Sequence, residues 1–185
     1  MQPIMINVSA LVQVKAFARQ DGVFLALLWI ASFLLVVFAP LSSWGSLLAF
    51  STPFFVGWRL VRFRDYALEG VISYRRGLVF SWYTFFYAAL IFAIAQYVYF
   101  RFFDHGAMLD MMQASVAKLQ GAYKDNMGNV KQVVDELNQS LTLVSQMSAI
   151  EVSFIFMMQN LFWGTLLSLL IPLFGMRKKA TTNKQ

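Results

Sequence analysis

The sequence contains no cysteine and a single histidine, His105. The absence of cysteine excludes disulfide bonds, thiolate metal sites and cysteine nucleophiles. His105 follows Asp104, but adjacent residues on a helix do not face each other, and the sequence offers neither a metal-ligand cluster nor a glycine-rich phosphate loop. We therefore predict a protein that is not an enzyme and that binds no metal or other cofactor.

Charge is also scarce, and it is missing from three long stretches. Charged residues make up 13% of the chain, against about 25% in a typical soluble domain. Residues 22–58, 77–100 and 152–176 carry none. An α-helix crosses the hydrocarbon core of a bilayer with about 20 apolar residues, so the last two stretches fit one crossing each and the first fits two. The pattern predicts an integral membrane protein.

We expect a single all-α membrane domain with four transmembrane helices. The predicted crossings are residues 22–39, 44–58, 77–100 and 152–176. The first two form a tight hairpin, because Pro40 ends a helix and the serines after it favour a turn. Residues 1–21 carry apolar side chains at helical spacing, which predicts an amphipathic helix in the headgroup layer; a frayed terminus is the alternative.

Residues 101–151, between the third and fourth crossings, have a different pattern. Apolar side chains recur at alternating spacings of three and four, which is typical of a coiled coil. They are Leu109, Met112, Val116, Leu119, Tyr123, Met127, Val130, Val134, Leu137, Leu141 and Val144. Because a turn-prone run at 124–129 interrupts the pattern, we expect a helical hairpin of 106–123 and 129–150. The alternative is that both helices lie flat on the bilayer.

The basic residues indicate the orientation. Four crossings would place both termini, a basic loop at 59–76 and the tail at 177–185 on one side of the membrane. That side collects eleven of the fifteen lysines and arginines, and such residues favour the cytoplasm. We therefore expect both termini to be cytoplasmic and residues 101–151 to be extracytoplasmic. The same distribution argues for the membrane, and not nucleic acid, as the partner of the positive charge.

Small and polar residues inside the crossings are candidates for helix packing or for a partner interface. Small side chains let helices approach closely in lipid, and amides there form interhelical hydrogen bonds of roughly 1 kcal/mol. The candidates are Gly45, Ala49, Pro53 and Gly57 in the second crossing, and Gln159, Asn160, Gly164 and Ser168 in the fourth. Packing within the chain and an interface with a second copy or another protein are both open.

The arginines of the basic loop are candidate contacts for anionic lipids or for an acidic partner protein. They are Arg59, Arg62, Arg64, Arg75 and Arg76. A simpler explanation is that they determine the topology, since their charge alone orients the chain.

A local run joins the basic loop to the third crossing. It consists of Arg64-Asp65, residues 70–74 (Gly-Val-Ile-Ser-Tyr) and Gly77, and continues to Tyr99 and Asp104. In this run, and in its plan of a hairpin, a basic loop, a polar insertion and a final crossing before a lysine-rich tail, the chain resembles the bacterial membrane family known as domain of unknown function 4199. The resemblance covers about residues 15–179. It implies no activity, and it suggests envelope assembly in association with membrane-associated glycosyltransferases.

We therefore expect a non-enzymatic protein of the bacterial inner membrane. Its role would be that of an interaction or scaffold subunit in an envelope-associated complex, in contact with membrane lipids and with a protein partner or a second copy. The alternative is a protein for lipid handling or for passage of a small solute, which would need a groove near Gln96, Gln159 and Asn160.

Overall fold

The computed structural model describes residues 8–40, 42–123 and 127–177, and in this part of the chain the fold is all-helical. The seven helices described are α1 (Val8–Phe38), α2 (Trp44–Phe50), α3 (Thr52–Ala67), α4 (Tyr74–Phe102), α5 (Ala107–Ala122), α6 (Met127–Ser145) and α7 (Ala149–Gly175). The only β-type pairing among these residues is an isolated antiparallel bridge between Ile72 and Arg177. The prediction of an all-α protein is confirmed for the described residues.

Three helices in the described part are long and apolar enough to cross a membrane. The segments are Leu11–Phe38, Tyr74–Phe102 and Ala149–Gly175. They contain most of the first, third and fourth predicted crossings. Each is at least 27 residues long, which exceeds the roughly 20 residues that a crossing needs. Their length and composition support the prediction of a membrane protein.

The second predicted crossing, 44–58, is not among these three helices. It is divided at Ser51 between α2, which has seven residues, and the first half of α3. The break lies beside Pro53, which has no amide proton and cannot donate the hydrogen bond that would continue the helix. The Leu48 carbonyl, at the same break, accepts from both the Ser51 amide (3.2 Å) and the Ser51 hydroxyl (2.6 Å).

The first helix differs from its predicted boundaries. The predicted interfacial helix, 1–21, and the first crossing are parts of one helix where the structure describes them, because α1 is continuous from Val8. A single buried face runs through both parts and leaves no reason for a break. Its members are Val14, Ala18, Asp21, Leu25 and Trp29. Residues 1–7 lie outside the described part.

The predicted basic loop, 59–76, is mostly helical, because α3 covers its first half and α4 its last three residues. Gly70 closes α3. Its φ of +80° is a left-handed conformation, and its amide donates to the Arg64 carbonyl (3.1 Å). Ser73 stands before α4 and accepts a hydrogen bond from the Arg76 amide on its hydroxyl oxygen (3.4 Å).

The helices form two compact units. Unit 1 comprises Met1–Ala93 and Met157–Gln185, and unit 2 comprises Ile94–Phe156, so that α4 and α7 contribute to both. The core of unit 1 is built from apolar side chains of α1, α3, α4 and α7. Aromatic rings fill much of it, and the rings of Phe63 and Phe80 stack with centroids 4.8 Å apart.

Within unit 1, α1 runs antiparallel to α2 and α3, in a hairpin that turns at Pro40. Residues that meet across this hairpin have numbers that add up to about 80, which is what a chain folded back at residue 40 requires of two helices with equal rise. The pairs are Phe17 with Phe63, Asp21 with Arg59, Trp29 with Thr52, and Ser32 with Gly45. Polar groups of α1 thus meet polar groups of α2 and α3 inside an apolar core.

Within unit 2, α5 and α6 pack against each other through a small apolar cluster. Its buried members are Val116, Val134 and Leu141, with Leu109, Met112, Leu119 and Val130 packed around them. Asp104 caps α5, because its carboxylate oxygens accept hydrogen bonds from the amides of Gly106 (3.1 Å) and Met108 (2.9 Å). Part of the turn-prone run, 124–126, lies outside the described residues.

Candidate functional site at the arginine-rich end of unit 1

The ends of four helices meet in unit 1 where most of its arginines lie. Two backbone hydrogen bonds join Ile72 to Arg177 (3.1 and 3.2 Å) and connect the start of α4 to the end of α7. Gln13 of α1 donates to the Ala67 carbonyl at the end of α3 (3.5 Å). We call this region the arginine end. It comprises Gln13, Asp21, Arg59, Arg62, Arg64, Arg75, Arg76 and Arg177.

Arg59 of α3 pairs with Asp21 of α1 in the interior of unit 1. The Nε and Nη2 groups of Arg59 both donate to Oδ1 of Asp21, with the Nε contact at 2.7 Å. Asp21 is only 2% exposed and lies within the candidate span Leu11–Phe38. A buried carboxylate is very unfavourable without a partner, so this ion pair fixes α1 to α3.

Arg64 connects α3 to the end of α7. Its Nη1 group donates to the Gly175 carbonyl (3.0 Å), which is one of the carbonyls that the end of a helix leaves without an intrahelical partner. Its Nε and Nη2 groups donate to the carboxylate of Asp65 (2.7 and 3.2 Å). These hydrogen bonds hold the pKa of Asp65 below its ordinary value, so Asp65 is ionised at neutral pH and offsets the charge of Arg64.

Arg76 connects α4 to α1. Its Nη2 group donates to Oε1 of Gln13 (2.7 Å), while the Nε2 group of Gln13 donates to the Ala67 carbonyl. One glutamine therefore joins three helices. The guanidinium of Arg76 also lies 6.0 Å from the centroid of the Phe63 ring, close to the outer limit of a cation–π contact.

The side chains of Arg62 and Arg75 are exposed and form no direct ion pair among the described residues, although the charge of Arg62 acts on the carboxylate of Asp21. Arg62 lies between two aromatic residues of α3, with its Cζ atom 5.1 Å from the centroid of Trp58 and 5.4 Å from that of Tyr66. The five candidate arginines therefore form two groups. Three bind within the fold, and two present their charge to the surroundings.

The small residues of the second predicted crossing lie in different environments. Gly45 is buried, and a Cβ atom there would lie 3.0 Å from the Ser32 carbonyl oxygen of α1. The Ser32 hydroxyl in turn donates to the Gly45 carbonyl (2.8 Å). Ala49 is exposed, whereas Pro53 and Gly57 are half-buried. Gly45 thus packs within the chain, and of the four only Ala49 is fully presented outward.

The small pair of α7 is buried against α4. A Cβ atom at Gly164 would lie 2.8 Å from both Cβ and Cγ of Phe85, so only glycine permits this approach. Ser168 is 1% exposed, and its hydroxyl donates to the Gly164 carbonyl (2.7 Å). Both residues therefore pack within the chain.

The two candidate amides of α7 differ in exposure. Gln159 is exposed although it lies well inside the candidate span Ala149–Gly175, whereas Asn160 is half-buried. The exposed neighbours of Gln159 one turn away on either side are apolar: Ile155, Phe162 and Trp163. The third amide, Gln96 of α4, is buried in unit 2. Gln159 is thus a polar group flanked by apolar side chains on an outward-facing surface of α7.

Sequence analysis did not single out Asp21, Gln13 or the hydrogen bond from Trp29 Nε1 to Thr52 Oγ1 (3.0 Å). The sequence did contain a signal for Asp21. Asp21 and Arg59 flank the two ends of one uncharged stretch, and a hairpin turning at its centre brings its ends together. No comparable signal marks Gln13, because its partners lie on two other helices.

Comparison with known proteins identifies the family of the chain. No curated protein and no solved structure matches it. A family model matches residues 20–177, which is most of the chain and includes all or most of each described helix. The resemblance found in the sequence is confirmed, and the chain belongs to the family described as protein of unknown function DUF4199.

Proposed function

We propose that the chain is a non-enzymatic interaction subunit of the bacterial inner membrane, part of an envelope-associated complex. It crosses the membrane four times, with α2 and α3 together forming the second crossing between α1 and α4. Both termini and the arginine end are cytoplasmic, and the α5–α6 hairpin is extracytoplasmic. Its partner is a transmembrane helix, of a second copy or of another protein, that lies against α7.

Contacts at the arginine end support this topology. An odd number of crossings would place the start of α1 and the end of α7 on opposite sides of the membrane. Arg64 binds the Gly175 carbonyl, Arg76 binds Gln13, and Ile72 pairs with Arg177, so the start of α1 and the end of α7 are held by the same connection. A positively charged cluster of this kind favours the cytoplasm.

Gln159 is the observation that carries the proposed role. An amide facing hydrocarbon has no hydrogen-bonding partner there, and leaving it unsatisfied costs several kcal/mol. A second helix with a polar group at the same depth removes this cost, and such hydrogen bonds drive association in lipid. Of the three candidate spans, Ala149–Gly175 also has the smallest buried share, 17% of its most apolar window. Its outer face therefore has room for a partner.

Cysteine labelling tests the topology. Glu69→Cys lies in the connection between α3 and α4, and Lys118→Cys lies on α5; both positions are exposed. In intact cells, a membrane-impermeant maleimide should label position 118 alone, and position 69 should react only after the membrane is opened. Labelling of both positions from outside would contradict the four crossings.

Photo-crosslinking in native membranes tests the partner. A benzophenone amino acid at Gln159 should give protein adducts, whereas the same group at Phe54, which is 79% exposed on α3, should give lipid adducts alone. The adduct mass distinguishes a second copy from another protein, and Gln159→Leu should reduce co-purification of whichever is found. Lipid adducts alone at both positions, together with solute flux through proteoliposomes, would instead support a passage protein.

A further inference from the structure

Exposed side chains recur at every fourth residue from the end of α2 through α3. They are Phe50, Phe54, Trp58, Arg62 and Tyr66. A step of four residues rises about 6 Å and keeps roughly the same face of a helix. We call this set the aromatic stripe. It changes from apolar rings to a cation within about 12 Å, the rise from Phe54 to Arg62.

We propose that Arg62 binds the phosphate of an anionic phospholipid, with Trp58 and Tyr66 holding its guanidinium in place. This inference rests on the proposed topology, in which α2 and α3 cross the membrane. The headgroup layer is roughly 5–7 Å thick on each side of the hydrocarbon core. With Phe54 in hydrocarbon and Trp58 at the boundary, where tryptophan is enriched, Arg62 reaches the level of the lipid phosphates.

The contacts of the other arginines assign this role to Arg62. Arg59 and Arg64 each donate through at least two nitrogens to groups of the fold, whereas Arg76 donates to Gln13 and its Nε atom is buried. Arg62 forms no direct ion pair among the described residues, although its charge acts on Asp21 from further away, and a guanidinium can bind a phosphate through two parallel hydrogen bonds. The rings at 5.1 and 5.4 Å restrict its orientation without occupying those donors.

Lipid retention measures this binding. The purified full-length chain, in mixed phosphatidylglycerol and phosphatidylcholine bilayers, would be extracted and its bound lipids counted by native mass spectrometry. Arg62→Gln should reduce retained phosphatidylglycerol about fivefold and leave phosphatidylcholine unchanged. Arg62→Lys should retain an amount of phosphatidylglycerol between those of the unmodified chain and Arg62→Gln, because lysine keeps the charge and lacks the paired N–H donors of a guanidinium.

Arg75→Gln is the matched control, because it removes another exposed charge at the same end of unit 1 that lacks an aromatic clamp. It should retain phosphatidylglycerol as the unmodified chain does. Equal losses in both variants would mean general attraction of charge to the bilayer and would overturn the proposal. Displacement of the lipid by inorganic phosphate would also overturn it, in favour of a soluble anion.

A fluorophore at Phe54→Cys separates this inference from the topology on which it rests. Quenching by a lipid carrying its quencher deep in the acyl chain supports a crossing by α2 and α3. Without quenching, the topology and the lipid site both fail. With quenching, and with no effect of Arg62→Gln on retention, the lipid site alone fails.

Discussion

In unit 1, many side-chain hydrogen bonds join residues far apart in sequence, whereas those of α5, α6 and their flanking turns stay local. Tyr74 donates to the Leu169 carbonyl across 95 positions, and Arg64 donates to that of Gly175 across 111. Between residues 103 and 151, no described side-chain hydrogen bond reaches further than five residues, the span from Asp104 to Tyr99. The two regions are both helical, but different interactions determine how their helices associate.

The proposed topology explains the difference, because α1, α4 and α7 would then meet lipid and α5 and α6 would meet water. A helix in lipid gains little from burying apolar side chains, since the surroundings are equally apolar, so close packing and polar contacts determine its neighbours. Helices in water associate by removing apolar side chains from water, and an apolar seam is sufficient. Unit 1 has the glycine contacts and buried polar pairs of the first case. The α5–α6 cluster has the seam of the second.

Removal of Arg59 should have the largest effect on unit 1. Arg59→Gln leaves the carboxylate of Asp21 buried without its ion-pair partner, and breaking one side of a buried ion pair costs about 3–5 kcal/mol. The measurement is the fraction of dodecyl sulfate at which tryptophan fluorescence reports unfolding in mixed micelles. The double variant Asp21→Asn, Arg59→Gln should recover much of the loss, because no unpaired charge remains.

Arg75→Gln is the control for that measurement, because Arg75 is exposed and unpaired in the described residues, and its removal should change stability by no more than about 0.5 kcal/mol. If Arg59→Gln and Arg75→Gln unfolded at the same detergent fraction, the ion pair would not stabilise unit 1. The contrast between unit 1 and unit 2 would then rest on packing alone.

A glycine-to-alanine substitution should change stability in opposite directions in the two units, which would sharpen the contrast between them. Gly164→Ala places a Cβ atom 2.8 Å from Phe85, and such overpacking costs about 1–3 kcal/mol. Gly121→Ala on α5 meets no atom within 4 Å and should stabilise the helix by up to about 1 kcal/mol. Thermal unfolding in detergent measures both. A stabilising Gly164→Ala would mean that α4 and α7 separate without cost.

The positions of the helices could largely be predicted from the sequence, whereas most contacts between helices could not. An uncharged stretch is a continuous segment of the sequence, so the three stretches located the central parts of α1, α4 and α7 directly. The heptad-like pattern likewise included Val116, Val134 and Leu141, which are the buried members of the cluster between α5 and α6. Contacts between helices depend on register, which a sequence reveals only where a turn sets it. Pro40 does so for Asp21 and Arg59.

Other features of the arginine end carried no such signal. Gln13 and Arg76 meet because α1 and α4 pack side by side, and the register of that contact depends on the close approach of the whole helices. The end of α3 was also misplaced by the sequence analysis, because the charges after residue 58 were interpreted as a loop. Those charges are compatible with a helix, since Arg59 and Arg64 find their partners on neighbouring helices.

In unit 2, loss of one seam residue should loosen α5 and α6 alone. Leu141 is 7% exposed within the cluster, and Leu141→Ala should cost about 2 kcal/mol, at the low end of the range for leucine because the cluster is small. Leu143, two residues on and 60% exposed, is the matched control. Hydrogen exchange should increase in α5 and α6 and stay unchanged in α1 and α3. Faster exchange in all four helices would mean that the units unfold together.

The smallest effect is expected from a single hydroxyl group. Tyr74→Phe removes the hydrogen bond to the Leu169 carbonyl (3.0 Å) and should cost about 1 kcal/mol, because one side of a long-range contact of unit 1 is lost. Tyr123→Phe, at the end of α5, removes a hydroxyl from an exposed ring and should leave stability unchanged. Both are measured by unfolding in mixed micelles. Equal stability of the two variants would mean that this long-range hydrogen bond contributes no more to unit 1 than an exposed hydroxyl group contributes to unit 2. Packing against glycine, and not polar contact, would then hold α4 to α7.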